Sequence, residues 1–411
     1  MPGHSSSTVA MIRNRDLLNG ESKALRSFQQ YHSLASEGYL SLLGRVFHSC
    51  PSRETRASYG MGQYATADAD RYSRQVLNFG SYNYSGLNGH PRIVAAAEAA
   101  LRKYGTTTSG VRLFNGTSEL HLELEERLAG FLGFEACITF SSGYTANLST
   151  LSLLCGPTDA VLSDGPDRRK FIVTDGVFSM DGDIADVPGL VSLAERYNAF
   201  LILDDAHATG AIGPNGRGTA AHFGVQSGVD LVTGSLSKGL PGVGGFAAGS
   251  RRTIEAMRLG AHSYVFSASI PPAVVAGLCE AIRILEEDQQ IQERLRTNES
   301  TLRDGIVALG LDCMSSETPI IPVAMPSLNA TLRMTKEMFE QGIYINPVGY
   351  PAVTQTRNRL RLNASAEFRN EDIQRCLEAL SVAKGRVLDT RDSNNPRKPV
   401  EDVRSAVIEG L

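Results

Sequence analysis

The stretch DLVTGSLSKGLPGVGGF, residues 230–246, sets one lysine, Lys238, among hydroxyl residues and glycines directly after a β-type run. A lysine in such a turn is ordinarily solvated, so its chemistry has to be judged against the reactive groups that end neighbouring strands. AFLILDDAHATG ends on Asp204, Asp205 and His207, and KFIVTDGVFSMDGD carries Asp175, Ser179 and Asp181. DLVTGSLSK supplies Thr233, Ser235 and Ser237 beside Lys238. TFSSGYTAN places Ser141, Ser142, Gly143 and Tyr144 between a strand and a helix, where main-chain N–H groups and a helix N-terminus favour an anion. Singly, Asp204 or Asp205 reads as a helix cap, His207 as a satisfied loop histidine and SSG as a simple helix start.

In an open α/β sheet, however, ligands lie beyond the carboxyl ends of the strands, which is where all four segments end. An anion cradle, an acid, an imidazole and an amine together form the set that holds a phosphorylated pyridine aldehyde, pyridoxal 5'-phosphate (PLP). The amine must lose its proton to form the imine, and burial beside a cationic ring favours the neutral form. A carboxylate against the pyridine nitrogen keeps the ring a good electron sink. Competing sites are weaker: GLPGVGG is not a dinucleotide fingerprint, no GxxxxGK[ST] occurs, and an Asp204/His207 metal site lacks further ligands at usable spacing.

These groups need a frame. HPRIVAAAEAALRKYG predicts a helix over 91–104, with Pro91 in the first turn and Gly105 at the stop. Helical segments in SELHLELEERLAGFLG, TANLSTLSLL and GLVSLAERYN alternate with β-type runs EACITF, DAVLSD, KFIVTD, AFLILDD, DLVTGS and GGFAAGS. This alternation predicts an α/β fold with a mostly parallel sheet covered on both faces. The expected divisions are an N-terminal helical segment (1–75), a large domain (76–305), a small α+β domain (306–390) and a polar tail (391–411). Residues 22–47 read as an amphipathic helix or helix pair, and 272–309 as a helix or broken pair.

With 411 residues and 42% hydrophobic content the chain can bury a large core in two domains. A net charge of −4 carries no basic excess for nucleic acid or an anionic membrane surface. Six scattered cysteines (50, 137, 155, 279, 313, 376) show neither a disulfide framework nor a zinc spacing. Without a membrane-length apolar run or a secretory leader, the expected location is cytoplasmic.

Several stretches together resemble the α-oxoamine synthases, PLP-dependent enzymes of the aspartate-aminotransferase-like fold (PLP fold type I): NFGSYNYSGLNGHP, RLFNGTSELHLELE, FSSGYTAN, GVFSMDGD, DDAHATGAIGPNGRG, TGSLSKGLPGVGGF, FSASIPP and RLRLNASAEF. The resemblance implies Lys238 as the Schiff-base lysine, Asp204 as partner of the pyridine nitrogen, and His207 and Ser179 beside the cofactor's phenolic oxygen. Ser142, Gly143, Tyr144, Thr233 and Ser235 are implied at the phosphate and ring edge, and Arg361 with Tyr82 at the amino-acid substrate. A homodimer with sites at its interface is implied as well.

The implied reaction is a decarboxylating Claisen condensation of a small amino acid with an acyl thioester, carried by coenzyme A or an acyl carrier protein, giving an α-aminoketone and CO2. One departure stands out. The family places a ring-stacking histidine between its SGY and SMDGD motifs, whereas the 35 residues between Gly143 and Ser179 contain none. This leaves as alternatives an inactive or regulatory subunit of the same fold, or another PLP enzyme such as an aldolase or aminotransferase. Ser85, Ala268, Phe368 and Arg369 also differ from the residues common in that family.

Overall fold

The computed structural model describes residues 45–47, 53–59, 74–155, 160–161 and 169–389. Contacts divide the chain into two units, the second comprising residues 49–56 and 75–389. In the first unit, β1 (Arg45–Phe47) pairs antiparallel with residues 57–59 at the end of β2 (Glu54–Tyr59). The helix expected over 22–47 falls outside the described residues except at this strand.

In the second unit, which takes in β3 (Arg74–Asn78) from Gln75 on, α1 (Pro91–Tyr104) has bounds that match the Pro91 start and the Gly105 stop, the latter at φ 76°. α2 (Glu119–Leu132) ends on Gly133 in the left-handed conformation and β4 (Ala136–Phe140) follows. Next come α3 (Gly143–Leu154), β5 (Ala160–Val161), β6 (Lys170–Asp175), α4 (Val187–Tyr197) and β7 (Ala199–Asp204). The short helix α5 (Thr219–Phe223) precedes β8 (Leu231–Ser237) and β9 (Pro241–Gly249). Helices α6 (Arg251–Gly260) and α7 (His262–Phe266) lead to α8 (Pro272–Glu287) and α9 (Gln290–Ala308), the broken pair.

The main sheet runs β4-β9-β8-β7-β6-β5. Strands β5 to β8 are mutually parallel, and β9 runs antiparallel to both its neighbours. Both faces are covered, because successive side chains alternate. Leu201, Leu203 and Phe246 join Leu124, Leu128 and Leu278 in one core cluster, while Ile202 and Ala247 join Ile138, Ile254 and Met257 in another.

The C-terminal part contains β10 (Ile320–Ala324), α10 (Leu328–Glu340), β11 (Ile343–Tyr344), β12 (Asn346–Val348), β13 (Arg359–Asn363) and α11 (Asn370–Val387). Here β13 lies between β10 and β12, antiparallel to both, while β11 pairs parallel with β3. Leu360 and Leu362 pack with Met334, Met338 and Leu380, so Arg359 and Arg361 occupy the opposite face of the strand. No described helix is long and apolar enough to cross a membrane.

Candidate active site

The parallel strands deliver their C-terminal ends to one edge, and the reactive residues gather there. Asp175 and Asp204 are register partners on β6 and β7, and Asp204 is in turn partnered with Thr233 on β8. Lys238 follows β8 directly. Burial pushes the Lys238 amine below its ordinary range, and the Arg361 charge acts in the same direction while Asp204 and Asp175 oppose it. The Asp175 carboxyl is pushed up, first by burial and then by the Asp204 charge.

Asp204 is held at both oxygens. The Ala206 N–H donates to Oδ1 at 2.8 Å and Asn147 Nδ2 donates to Oδ2 at 2.5 Å. Asn147 in turn accepts from Thr233 Oγ1 at 2.7 Å. The neighbouring Asp205 is buried and structural: both its oxygens take donors from Thr219, and burial raises its carboxyl to about 7.

His207 sits against Tyr84, with 2.9 Å between Nδ1 and the phenol oxygen, and the Tyr82 ring meets it edge-on at 5.8 Å. Burial, with the Lys238 and Arg361 charges, pushes its imidazole down to about 2; burial raises the Tyr84 phenol to about 12. A pH effect follows from the His207 shift. In the unfolded chain a histidine protonates at about 6.5, so below that pH the unfolded state binds more protons and the folded state loses stability. In the cofactor-free protein, His207→Gln should remove a destabilisation on the order of 1 kcal/mol per pH unit below about 6.5. Melting curves of both proteins from pH 8 to 5 should therefore converge or cross as pH falls; strictly parallel curves would refute the assignment.

Arg361 donates from Nε to the Ser179 carbonyl at 2.6 Å, and its guanidinium lies 4.6 Å from the Tyr82 ring centroid. The Arg361 charge also acts on the Tyr84 phenol, lowering it against the burial that raises it. Both terminal nitrogens of Arg361 are buried without a hydrogen-bond partner among the described residues. A buried guanidinium with two unsatisfied N–H-bearing groups is costly, and a carboxylate is the acceptor whose geometry matches the fork.

The fourth element is the N-terminus of α3. Ser142 caps it by accepting from the Thr145 N–H, which leaves the first-turn N–H groups of Gly143 and Tyr144 for an outside acceptor. Gly143 abuts β8, since a Cβ there would lie 3.2 Å from Ser235 Cβ. Ser235 Oγ is 2.8 Å from Ser237 Oγ, and the Tyr144 ring is exposed. On β9, a Cβ at Gly245 would run into the Ser142 carbonyl and the Gly143 backbone. Gly245→Ala should force this helix end off the sheet at a cost of about 1–3 kcal/mol, and so weaken phosphate-compound binding about 5- to 100-fold. Equilibrium dialysis with PLP measures this, and an unchanged affinity would separate the helix end from the anion site.

Of the sequence-predicted residues, Lys238, Asp204, His207, Arg361 and Tyr82 form one cluster, and Ser179 enters it through its carbonyl. Ser142, Gly143 and Ser235 form the helix-end group, while Thr233 spends its hydroxyl on Asn147. Sequence reasoning missed Asn147 and Tyr84. The signal for Asn147 was its i+4 spacing from Gly143, which puts both on one helix face; for Tyr84 it was a second tyrosine in SYNY. The stretch where a ring-stacking histidine is expected includes residues 156–159 and 162–168, outside the described ones. Among the described residues there is no cluster of metal-ligating side chains, and Cys137, Cys155, Cys279, Cys313 and Cys376 are free thiols.

A doubly covered, mostly parallel sheet with lysine, acid and imidazole at its carboxyl edge defines a class, and the chain belongs to the aminotransferase class I and II family, whose profile matches residues 74–167 and 165–380. Within that family its relatives are α-oxoamine synthases. It is 38% identical to 8-amino-7-oxononanoate synthase 1 of Bacillus velezensis, over 75% of this chain and 88% of the relative. It is also 38% identical to a serine palmitoyltransferase of Bacteriovorax stolpii, over 76% and 83%. Among solved structures, SPT with its PLP internal aldimine superposes with a TM-score of 0.80 at 29% identity, covering 89% of this chain and 99% of that one. Sphingomonas wittichii serine palmitoyltransferase gives 0.78 at 27%, covering 89% and 98%.

Proposed function

We propose that this chain is a PLP-dependent acyltransferase that joins a small amino acid to an acyl thioester with loss of CO2. The observation that carries this reading is the buried Arg361 fork, free at both terminal nitrogens, in the same cluster as Lys238 and Asp204. The residues present fit the cofactor: an amine biased towards its neutral form, a carboxylate anchored at both oxygens, and a helix end with free donors. Bound PLP supplies an electron sink for the substrate's α-carbon. Lys238 Nζ would hold the cofactor and would take the substrate's α-proton, and Asp204 would be the partner of the ring nitrogen. His207, kept neutral and held by Tyr84, serves with Ser179 at the phenolic oxygen. Ser142, Gly143, Tyr144 and Ser235 serve the phosphate side, Thr233 instead supports the acid through its bond to Asn147, and Arg361 with Tyr82 grips the amino-acid carboxylate.

In the net reaction the Cα–carboxyl bond breaks, a Cα–acyl bond forms and the thiol leaves, so amino acid plus thioester gives α-aminoketone, CO2 and free thiol. Supplying a panel of small amino acids with acyl-CoA and acyl carrier protein thioesters, and measuring CO2 and thiol together, tests this. Equimolar release is expected; neither product with any pair would overturn the reading.

The same proposal includes a homodimer, a small domain beginning near residue 306 and a cytoplasmic location. Exposed Leu113, Phe114 and Phe266 support the dimer, because the Val111–Ala268 bridge brings their loops together. Sedimentation analysis is expected to show twice the chain mass.

A further inference from the structure

We infer that Asn147 is a positioning residue that fixes the rotation of the Asp204 carboxylate and so sets how firmly that acid meets the ring nitrogen. The inference rests on the cofactor reading above and adds a residue to it. Asn147 lies four residues beyond Gly143 on α3, so one helix face presents both the anion-facing first turn and this amide. The amide's orientation is not free. Thr233 is fully buried on β8 and donates its hydroxyl to Asn147 Oδ1 at 2.7 Å, which turns Nδ2 towards Asp204 Oδ2 at 2.5 Å. With the Ala206 N–H on Oδ1, each carboxylate oxygen has one donor, and the plane of the group is locked.

Such a lock matters because Asp175 stands in register on the next strand, and a second carboxyl there repels Asp204. Without the amide, Asp204 keeps only the Ala206 donor and can rotate away from its neighbour. A flipped amide would set its oxygen against the acceptor-only Asp204 carboxylate, so the carboxylate fixes which way the amide faces, and the buried Thr233 hydroxyl completes the arrangement by donating to Oδ1. The three-residue chain Thr233, Asn147, Asp204 thus links the helix that ends at the phosphate side to the acid on the ring-nitrogen side. A loss of the lock should therefore alter ring protonation as well as binding.

The test uses full-length protein reconstituted with PLP, comparing wild type, Asn147→Ala and Thr233→Val. Expected for Asn147→Ala is an increase in PLP dissociation constant of about 10- to 100-fold, the range of a hydrogen bond to a charged group. In addition, the pH midpoint of the bound cofactor's visible absorbance should move; a role confined to packing would weaken binding but leave that midpoint in place. Thr233→Val should shift the midpoint the same way by less, and it decides the matter if Asn147→Ala fails to fold. An unmoved midpoint in the folded variants overturns the inference. If wild-type protein itself shows no cofactor band and no borohydride-fixed label on Lys238, the cofactor reading fails and the inference falls with it, an outcome distinct from a variant-only result.

Discussion

Replacing Lys238 with alanine is expected to lower turnover by about 10³-fold or more and to abolish covalent retention of PLP after borohydride reduction. The proposed role gives this nitrogen two separate tasks, fixing the cofactor and moving the α-proton, and no neighbour can assume both. Asp175 and Asp204 lie close enough to act on its charge but carry no nucleophilic amine. Burial, with the Arg361 charge, biases the amine towards its neutral form against the pull of the two carboxylates. Peptide mass mapping of reduced wild type should place the label on residue 238 alone. A label elsewhere, or turnover in Lys238→Ala within tenfold of wild type, would remove the basis of the assignment.

The second large effect is expected at Arg361. Arg361→Ala should raise the KM for the amino acid about 10- to 100-fold, with a much smaller change for the thioester, and Arg361→Lys should recover little. The reason is geometric. Nε is committed to the Ser179 carbonyl and the guanidinium plane rests near Tyr82, so the two buried terminal nitrogens, without a partner among the described residues, are left as a preformed fork. A lysine ammonium cannot occupy the carbonyl and grip a carboxylate with two parallel bonds. Steady-state kinetics against each substrate in turn decide the point. An unchanged amino-acid KM in a variant with normal PLP content would place carboxylate recognition elsewhere.

Much of this was legible locally. The bounds of α1 follow from Pro91 and Gly105, each of which acts on its own turn, and the strand-end acids follow from apolar runs that stop at Asp175 and Asp204. The run GGFAAGS puts the strand's start at Gly244, yet β9 begins at Pro241 and takes in the glycines 242, 244, 245 and 249. Their small size serves tertiary contacts that no local pattern displays, such as Gly245 against the start of α3 and Gly242 against Leu278. The spacing of Asn147 from Gly143 is a local signal, but its role is not: its two partners lie 57 and 86 residues away, on different strands. Tyr82 was singled out from SYNY, but the hydroxyl that reaches His207 belongs to Tyr84, and only the path of that segment past residues 365–366 determines which tyrosine turns inward.

The bond from Arg361 to the Ser179 carbonyl joins a residue of the three-stranded sheet to the loop after β6 of the six-stranded one. That link acts as a ruler. In the proposed site, the grip on a substrate's acid end is calibrated by the spacing between these two sheets, so an insertion or packing change far from Lys238 that shifts one of them would retune substrate choice without altering any reacting group.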